Sequence, residues 1–421
     1  MYLDSFTYTH DKVGNRLSKA EPTTTTDYGY DRVYRLLSAT PRKPGGERYG
    51  YDPVGNRLSG PQAQQAYQYN EGNQLLAKSA EHGKAPNAGI FYTFDNNGNL
   101  IGKEERNGSG RAQTVTSYSY DYENRLTGVE IEQGQHRTIV TFSYDPFGRR
   151  LSKVVEREAN GNGQNGHGCD DRRPAPRVTR YLYDNEDIVL EYDDRGEILA
   201  RYLHGPGIDE PLAMKRKNTL YYYHADGLGS ITALTDQDGY VVRKYDYDSF
   251  GAMKPEQRQT GQPYTYTARE WDRETGLYYY RARYYDPEAG RFISKDPIGF
   301  KGGINVFSYV KNNPINFYDP YGLLDVPRGL LGELLSELVG SAFDKTYSSI
   351  TGAACASRYC KRHSQPHSRM SAYSECQAIF EKYKLPMGNS PFTFSDDFVY
   401  SCADECIRIT NTRKFSKQCC N

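Results

Sequence analysis

A short turn recurs along the first two thirds of the chain and limits what that chain can become. It reads Tyr30-Asp31-Arg32, Tyr51-Asp52-Pro53-Val54-Gly55-Asn56-Arg57-Leu58, Tyr69-Asn70-Glu71-Gly72-Asn73 and Phe94-Asp95-Asn96-Asn97-Gly98-Asn99-Leu100. It returns at Tyr120-Asp121, at Tyr144-Asp145-Pro146-Phe147-Gly148-Arg149-Arg150-Leu151 and at Tyr192-Asp193-Asp194-Arg195-Gly196. Up to Tyr144 the copies lie about 18 to 26 residues apart, near the lower end of the range for repeat arrays. In each copy Asp or Asn can accept a backbone hydrogen bond from two residues on, Pro or a polar residue fits the next position, and Gly takes the positive φ. The flanking segments alternate, as strands with one wet face do. Each unit is therefore a hairpin. A lone hairpin is marginal in water, so successive units are expected to pair into one long antiparallel sheet.

Composition says what such a sheet buries. Apolar residues make up only 37% of the chain, yet there are 39 Tyr against 16 Phe and one Trp. The interior must be built largely from Tyr, whose ring is buried while its hydroxyl needs a partner. Forty Gly and 21 Pro favour turns over helices. The 421 residues allow two or three domains. Lys and Arg equal Asp and Glu at 53 each, so net charge points the β part neither to nucleic acid nor to membrane. The opening MYLDSFTYTH has no basic start followed by an apolar run, so a cleaved export signal is not expected.

The repeat stops near residue 155, and residues 156–179 are polar, Gly-rich and without period, as an exposed loop would be. Strand patterning resumes at Arg180-Tyr181-Leu182-Tyr183 and grows denser. Two further turns, Asp296-Pro297-Ile298-Gly299-Phe300 and Asp319-Pro320-Tyr321-Gly322-Leu323, precede a change of composition. Peptide hydrolysis needs a base for water, an acid for the leaving nitrogen and support for the oxyanion. Two carboxylates held together can divide the first two tasks, because each disfavours ionisation of the other. Both segments also read as ordinary turns like those at Asp52, Asp145 and Asp286.

The Tyr-Asp hairpins combine with a His-x-Asp-x-x-Gly run at His224, Gly276-Leu277-Tyr278-Tyr279, the Arg-Tyr-Tyr-Asp-Pro run at Arg283 and the closing Asp-Pro-x-Gly-Leu. Together they resemble the Rhs/YD-repeat family with its repeat-associated core, over residues 1–323. The resemblance implies a β-hairpin spiral wound into a shell, here a partial one, since family shells are longer. It implies residues 1–155 as YD-repeat sheet, 180–323 as core and self-cleavage region, and 324–421 as a variable toxic effector. In such proteins Asp296 and Asp319 are the catalytic pair, Arg283 assists by orienting a carboxylate or steadying the oxyanion, and the cut falls between Leu323 and Leu324. A cognate immunity protein, delivery without a cleaved signal peptide by a specialised bacterial system, and possible display at the cell surface follow from the same resemblance. No cofactor is implied. A different class of function is a noncatalytic module whose Tyr-rich sheet binds carbohydrate or another surface.

Beyond Leu323 the period changes. Leu330, Leu331, Leu334, Leu335, Leu338 and Val339 stand at helical spacing, which predicts a small, mainly helical domain. An alternative use of that face is membrane contact. Seven of the eight cysteines, Cys355, Cys360, Cys376, Cys402, Cys406, Cys419 and Cys420, fall there, with Cys169 as the eighth. Their density predicts disulfides formed in an oxidising compartment. Cys355, Cys360, His363 and His367 fit no common zinc spacing, so no metal is expected. The basic run containing His363, His367 and Arg369, with Glu375 or Asp396-Asp397, could support metal-independent RNA cleavage; a solvated basic loop is the alternative.

Overall fold

The computed structural model describes residues 5–42, 45–61, 65–80, 87–159, 175–258 and 261–327. The predicted helical tail, its seven cysteines and Cys169, and His363, His367 and Arg369 lie outside the described residues, as does most of the expected loop 156–179. One compact unit comprises Met1–Ser143 and Arg150–Leu330; the turn Tyr144–Arg149 belongs to a second.

The repeated turn is held by its aspartate. Asp31 Oδ1 accepts the amides of Val33 and Arg35 at 3.0 and 2.9 Å, and its Oδ2 takes Arg35 Nε at 2.6 Å. Asp121 does the same with Glu123 and Arg125. Where Asn stands four residues on, its amide replaces the guanidinium, as in Asn15 to Asp11, Asn56 to Asp52 and Asn99 to Asp95. The third residue after the aspartate has positive φ: +88° at Gly55, +89° at Gly98 and +60° at Asn124, a conformation that favours Gly and Asn. The turn Tyr144–Arg149 keeps the same internal bonds, from Phe147 and Arg149 to Asp145.

The tyrosine preceding the aspartate joins one repeat to the one before. Tyr30 Oη donates to the Arg16 carbonyl at 2.7 Å, Tyr51 to Leu36 at 2.9 Å, Tyr69 to Arg57 at 2.8 Å, Tyr120 to Leu100 at 2.9 Å and Tyr247 to Ile231 at 2.6 Å. In every case the acceptor is the first strand residue after an earlier turn. At Tyr30, Tyr51, Tyr69 and Tyr120 the register shifts by one residue, as between Ser119 and Tyr120. That bulge turns the ring inward while its hydroxyl meets a main-chain oxygen.

The fold is mainly β. Strands Thr7–His10, Arg16–Glu21, Thr24–Tyr30, Leu36–Pro41 and Glu47–Arg48 form one antiparallel sheet. The strands from Gly50–Tyr51 to Val241–Lys244 form a second, whose order closes on itself. The repeats thus do not make one uninterrupted sheet. The ladder changes at Tyr49, whose ring leaves the strand row to pack edge-on against Phe250 at 5.0 Å, beside buried Leu36. Strand Arg150–Ala159 pairs with Arg177–Asp184, so the ladder runs on across residues 160–174.

After Lys244 the chain forms a separate four-stranded sheet, Glu270–Asp272, Leu277–Tyr280, Arg283–Asp286 and Arg291–Phe292, and a short ladder of Phe317–Tyr318 with Val326–Pro327. Its core is the predicted tyrosine interior. Tyr278, Tyr280, Tyr285 and Tyr309 are fully buried and pack with Phe292 at centroid separations such as 4.5 Å for Tyr285 and Tyr309. Their hydroxyls are satisfied internally, Tyr278 by the Gly251 carbonyl and Tyr285 by that of Phe250.

This sheet is tied to the repeat strands by buried charge. Arg150 is 1% exposed and donates to Glu270 at 2.6 Å and to Asp272, and Lys153 reaches Asp272 at 2.8 Å. Removing Asp272 takes away the carboxylate that Arg150 and Lys153 share and leaves Arg150 with Glu270 and Lys153 with Glu274 alone, in a poorly hydrated interior. Asp272→Ala should therefore lower unfolding stability by about 3–5 kcal/mol, read as a fall in the urea midpoint, whereas Asp193→Ala in an exposed turn should cost about 1 kcal/mol.

Candidate functional site

Arg283, Asp296 and Asp319 come from three places in the sequence and meet in the dense block. Arg283 opens the strand Arg283–Asp286 and is 3% exposed. Its guanidinium stacks on Phe292 with Cζ 3.7 Å from the ring centroid, which fixes its plane. Within that plane Nη1 donates to the Val306 carbonyl at 3.1 Å and Nε to the Gly322 carbonyl. Nη2 faces both acids, 3.0 Å from Asp296 Oδ2 and 3.5 Å from Asp319 Oδ2.

Asp296 is positioned by its own turn and by the same carbonyl that holds Arg283. Its amide donates to Val306 O at 2.9 Å, its carbonyl accepts Gly299 N at 2.9 Å, and its Oδ1 accepts Ile298 N at 3.0 Å. Asp319 follows strand Phe317–Tyr318, and the pairing of Tyr318 with Val326 folds residues 319–325 into a loop. That loop lies against the turn joining strands Leu277–Tyr280 and Arg283–Asp286, where Ala282 N donates to Tyr321 O at 3.1 Å. Gly322 has φ +70°, and a Cβ there would stand 2.5 Å from the Tyr280 carbonyl, so the close approach requires glycine.

Asp319 departs from the ordinary repeat turn. The repeat aspartates accept the amides two and four residues on, as Asp31 does. Asp319 Oδ1 instead accepts those four and five residues on, Leu323 N at 2.9 Å and Leu324 N at 3.1 Å. One carboxylate oxygen thus touches the nitrogen of the Leu323–Leu324 peptide bond. Its other oxygen is turned to Arg283.

The carbonyl side of that peptide faces Asp296. A methyl built on Gly302 would lie 2.5 Å from Asp296 Oδ2 and 3.4 Å from the Leu323 carbonyl oxygen, so the two oxygens flank one small space that only a hydrogen leaves open. Leu323 is 2% exposed, which keeps bulk water from its carbonyl. Sequence reading did not find Gly302, Val306 or Phe292, and it had Gly322 only as a turn glycine. The tandem Gly302-Gly303 was the one available signal, since paired glycines often mark a close approach.

Burial sets the electrostatics. Asp319 is pushed up to about 7 chiefly by desolvation, against the pull of Arg283 and its two amide bonds. Asp296 is also raised by burial, with Arg283 opposing most strongly and Asp325 adding repulsion. A buried acid pair sharing one guanidinium can hold a proton near neutral pH and place it beside an amide nitrogen. Among the described residues no three His, Cys, Asp or Glu side chains gather as a metal would require.

Residues 9–320 match the model of the teneurin YD-shell family. The double-stranded DNA deaminase toxin A of Burkholderia cenocepacia is 29% identical over 75% of this chain and 22% of its own length. Toxin protein Tse5 of Pseudomonas aeruginosa is 30% identical over 72% of this chain and 26% of its own. The chain therefore spans about a quarter or less of these curated relatives. A solved TcdB2-TccC3-TEV structure is 20% identical over 76% of this chain and 19% of that one, at a TM-score of 0.39. With three quarters of its length matched by the family model, and with the turn, bulge and tyrosine geometry repeated along it, the chain belongs to the teneurin YD-shell family and is an Rhs/YD-repeat protein.

Proposed function

We propose that this chain is a toxin carrier that cuts itself between Leu323 and Leu324 and so separates residues 324–421 as a C-terminal effector. The observation that carries this reading is the contact of Asp319 Oδ1 with Leu324 N, the nitrogen that would leave. In the reaction Asp296, held ionised by Arg283, takes a proton from water, and the resulting hydroxide adds to the Leu323 carbonyl carbon. The protonated Asp319 gives its proton to Leu324 N as the C–N bond breaks, leaving an amine on Leu324 and a carboxylic acid on Leu323, whose proton then passes to the Asp319 carboxylate. Arg283 holds the two acids in one plane and balances their charge through the addition. Its Nε bond to the Gly322 carbonyl fixes the peptide just before the cut.

The relatives named as toxins support a carrier role in bacterial antagonism. A delivery machine and an immunity protein against the effector are the partners this reading requires. The carbohydrate-binding alternative would rest on the exposed tyrosines, such as Tyr122 and Tyr240, whereas the rings at Tyr181, Tyr202, Tyr223, Tyr278 and Tyr280 are spent on the interior.

The first test is a denaturing gel with intact mass. The parent should give two fragments joined at Leu323–Leu324, and Asp296→Asn and Asp319→Asn should each slow the cut by at least about 100-fold. Unchanged cutting in both variants defeats the assignment. The second test is pH. Asp319 must be protonated to serve as acid, so above its pKa of about 7 the rate should fall roughly tenfold per pH unit. The third is a ¹³C titration of labelled aspartates. Arg283 lowers both carboxyls, so Arg283→Gln should move both midpoints upward. Because Asp319 is raised from its ordinary 3.8, its protonated form favours the fold, and that contribution fades as pH climbs through about 7.

A further inference from the structure

Two buried arginines outside the acidic pair have no acidic partner. Arg57, in strand Arg57–Ser59, is 4% exposed, and Arg291, in strand Arg291–Phe292, is 7% exposed. Both line one small cavity together with Tyr69, Gly290, Asn305 and Asn312, and it has room for one water-sized particle. Neither guanidinium forms an ion pair with any described carboxylate. Asp286, a few residues before Arg291, spends its Oδ1 on the amides of Glu288 and Ala289.

Arg57 feels buried Asp248 only at longer range, and the groups in contact with the two guanidinia carry no charge. Arg57 stacks on Phe250 with Cζ 3.8 Å from the centroid and on Tyr49 at 4.9 Å; Arg291 lies over Tyr69 at 4.9 Å and Phe307 at 5.1 Å. Stacking occupies the faces of a guanidinium and leaves its N–H edge free to bind in plane. Arg57 Nε and Nη2 and Arg291 Nε are buried without a hydrogen-bond acceptor among the described residues. Arg291 Nη2 is taken by the Asn73 carbonyl. The neighbouring amides are committed too, Asn312 Nδ2 to Gly55 O and Asn305 Nδ2 to Asn56 Oδ1, both at 2.8 Å. Tyr69 donates its hydroxyl to Arg57 O, and a neutral phenol cancels no charge.

Two buried cations with three unmet donors are a costly arrangement unless something negative joins them. A water could accept the hydrogen bonds but would leave the charge. We propose that this cavity binds one small monovalent anion, of chloride size, between Arg57 and Arg291. The ion would clasp the first strands of the closed sheet to the turn Ala289–Arg291 and the segment carrying Asn305 and Asn312.

The test uses the full chain in sodium chloride, sodium bromide and sodium gluconate at matched ionic strength. Chloride and bromide should raise Tm over gluconate by about 2 °C or more, saturating with concentration. Arg291→Met, which keeps the apolar stem over Tyr69, should abolish the difference. Equal Tm in all three salts, or a halide effect that survives in Arg291→Met, overturns the proposal. Should that variant fail to fold, bromide anomalous scattering from crystals of the parent decides: a peak between the two guanidinia supports the site, and a water alone at that position refutes it.

Discussion

The bond from each tyrosine hydroxyl to a carbonyl of the preceding repeat is the interaction on which the rest of the structure depends. A hairpin of this size buries too little to stand alone. Strand pairing supplies neighbours, yet it does not decide which face turns inward. The hydroxyl does, because it can be satisfied at a main-chain oxygen only when the bulge before the aspartate rotates the ring to the inner face. Phenylalanine would provide the same area without that directional demand. A chain with only 37% apolar residues can build an interior this way, since the repeat tyrosines bring a hydrogen bond with the ring.

The dense block carries the same solution further. Tyr278, Tyr280, Tyr285 and Tyr309 pack face and edge around Phe292, and Phe292 in turn supports the Arg283 guanidinium. The acidic pair is thus mounted on a wall of rings that excludes water. Desolvation raises both carboxyls, while the one guanidinium between them keeps the raising within bounds. A rigid apolar support and a single shared cation are what allow two aspartates to differ in their readiness to hold a proton.

Much of this was open to reading in the linear text. The aspartate and glycine spacing dictated hairpins, and the bonds within the turns at Asp31, Asp52 and Asp121 match that chemistry because it is local. The excess of tyrosine dictated a tyrosine core. Asp296 and Asp319 stood out through their shared Asp-Pro-x-Gly setting and through family resemblance. Nothing in the spacing said that Asp319 would bond forward to Leu323 and Leu324 in place of its own turn. Val306 was invisible for a related reason: it acts through a main-chain carbonyl, which leaves no residue-type signature, and Gly302 left only its pairing with Gly303. The interruption of the sheet at Tyr49 was also missed; there the ring packs against Phe250, some two hundred residues away.

The amino-acid order by itself determined the repeat turns, the strand period and the demand for buried hydroxyl bonds, whose requirements are local. Only the tertiary structure decided which distant groups share one desolvated space. It set Arg283 between two acids and left Arg57 and Arg291 facing one cavity. The physical reason is that local geometry follows from chain connectivity, whereas burial, and with it the strength of every charge, depends on what the rest of the molecule packs around a site.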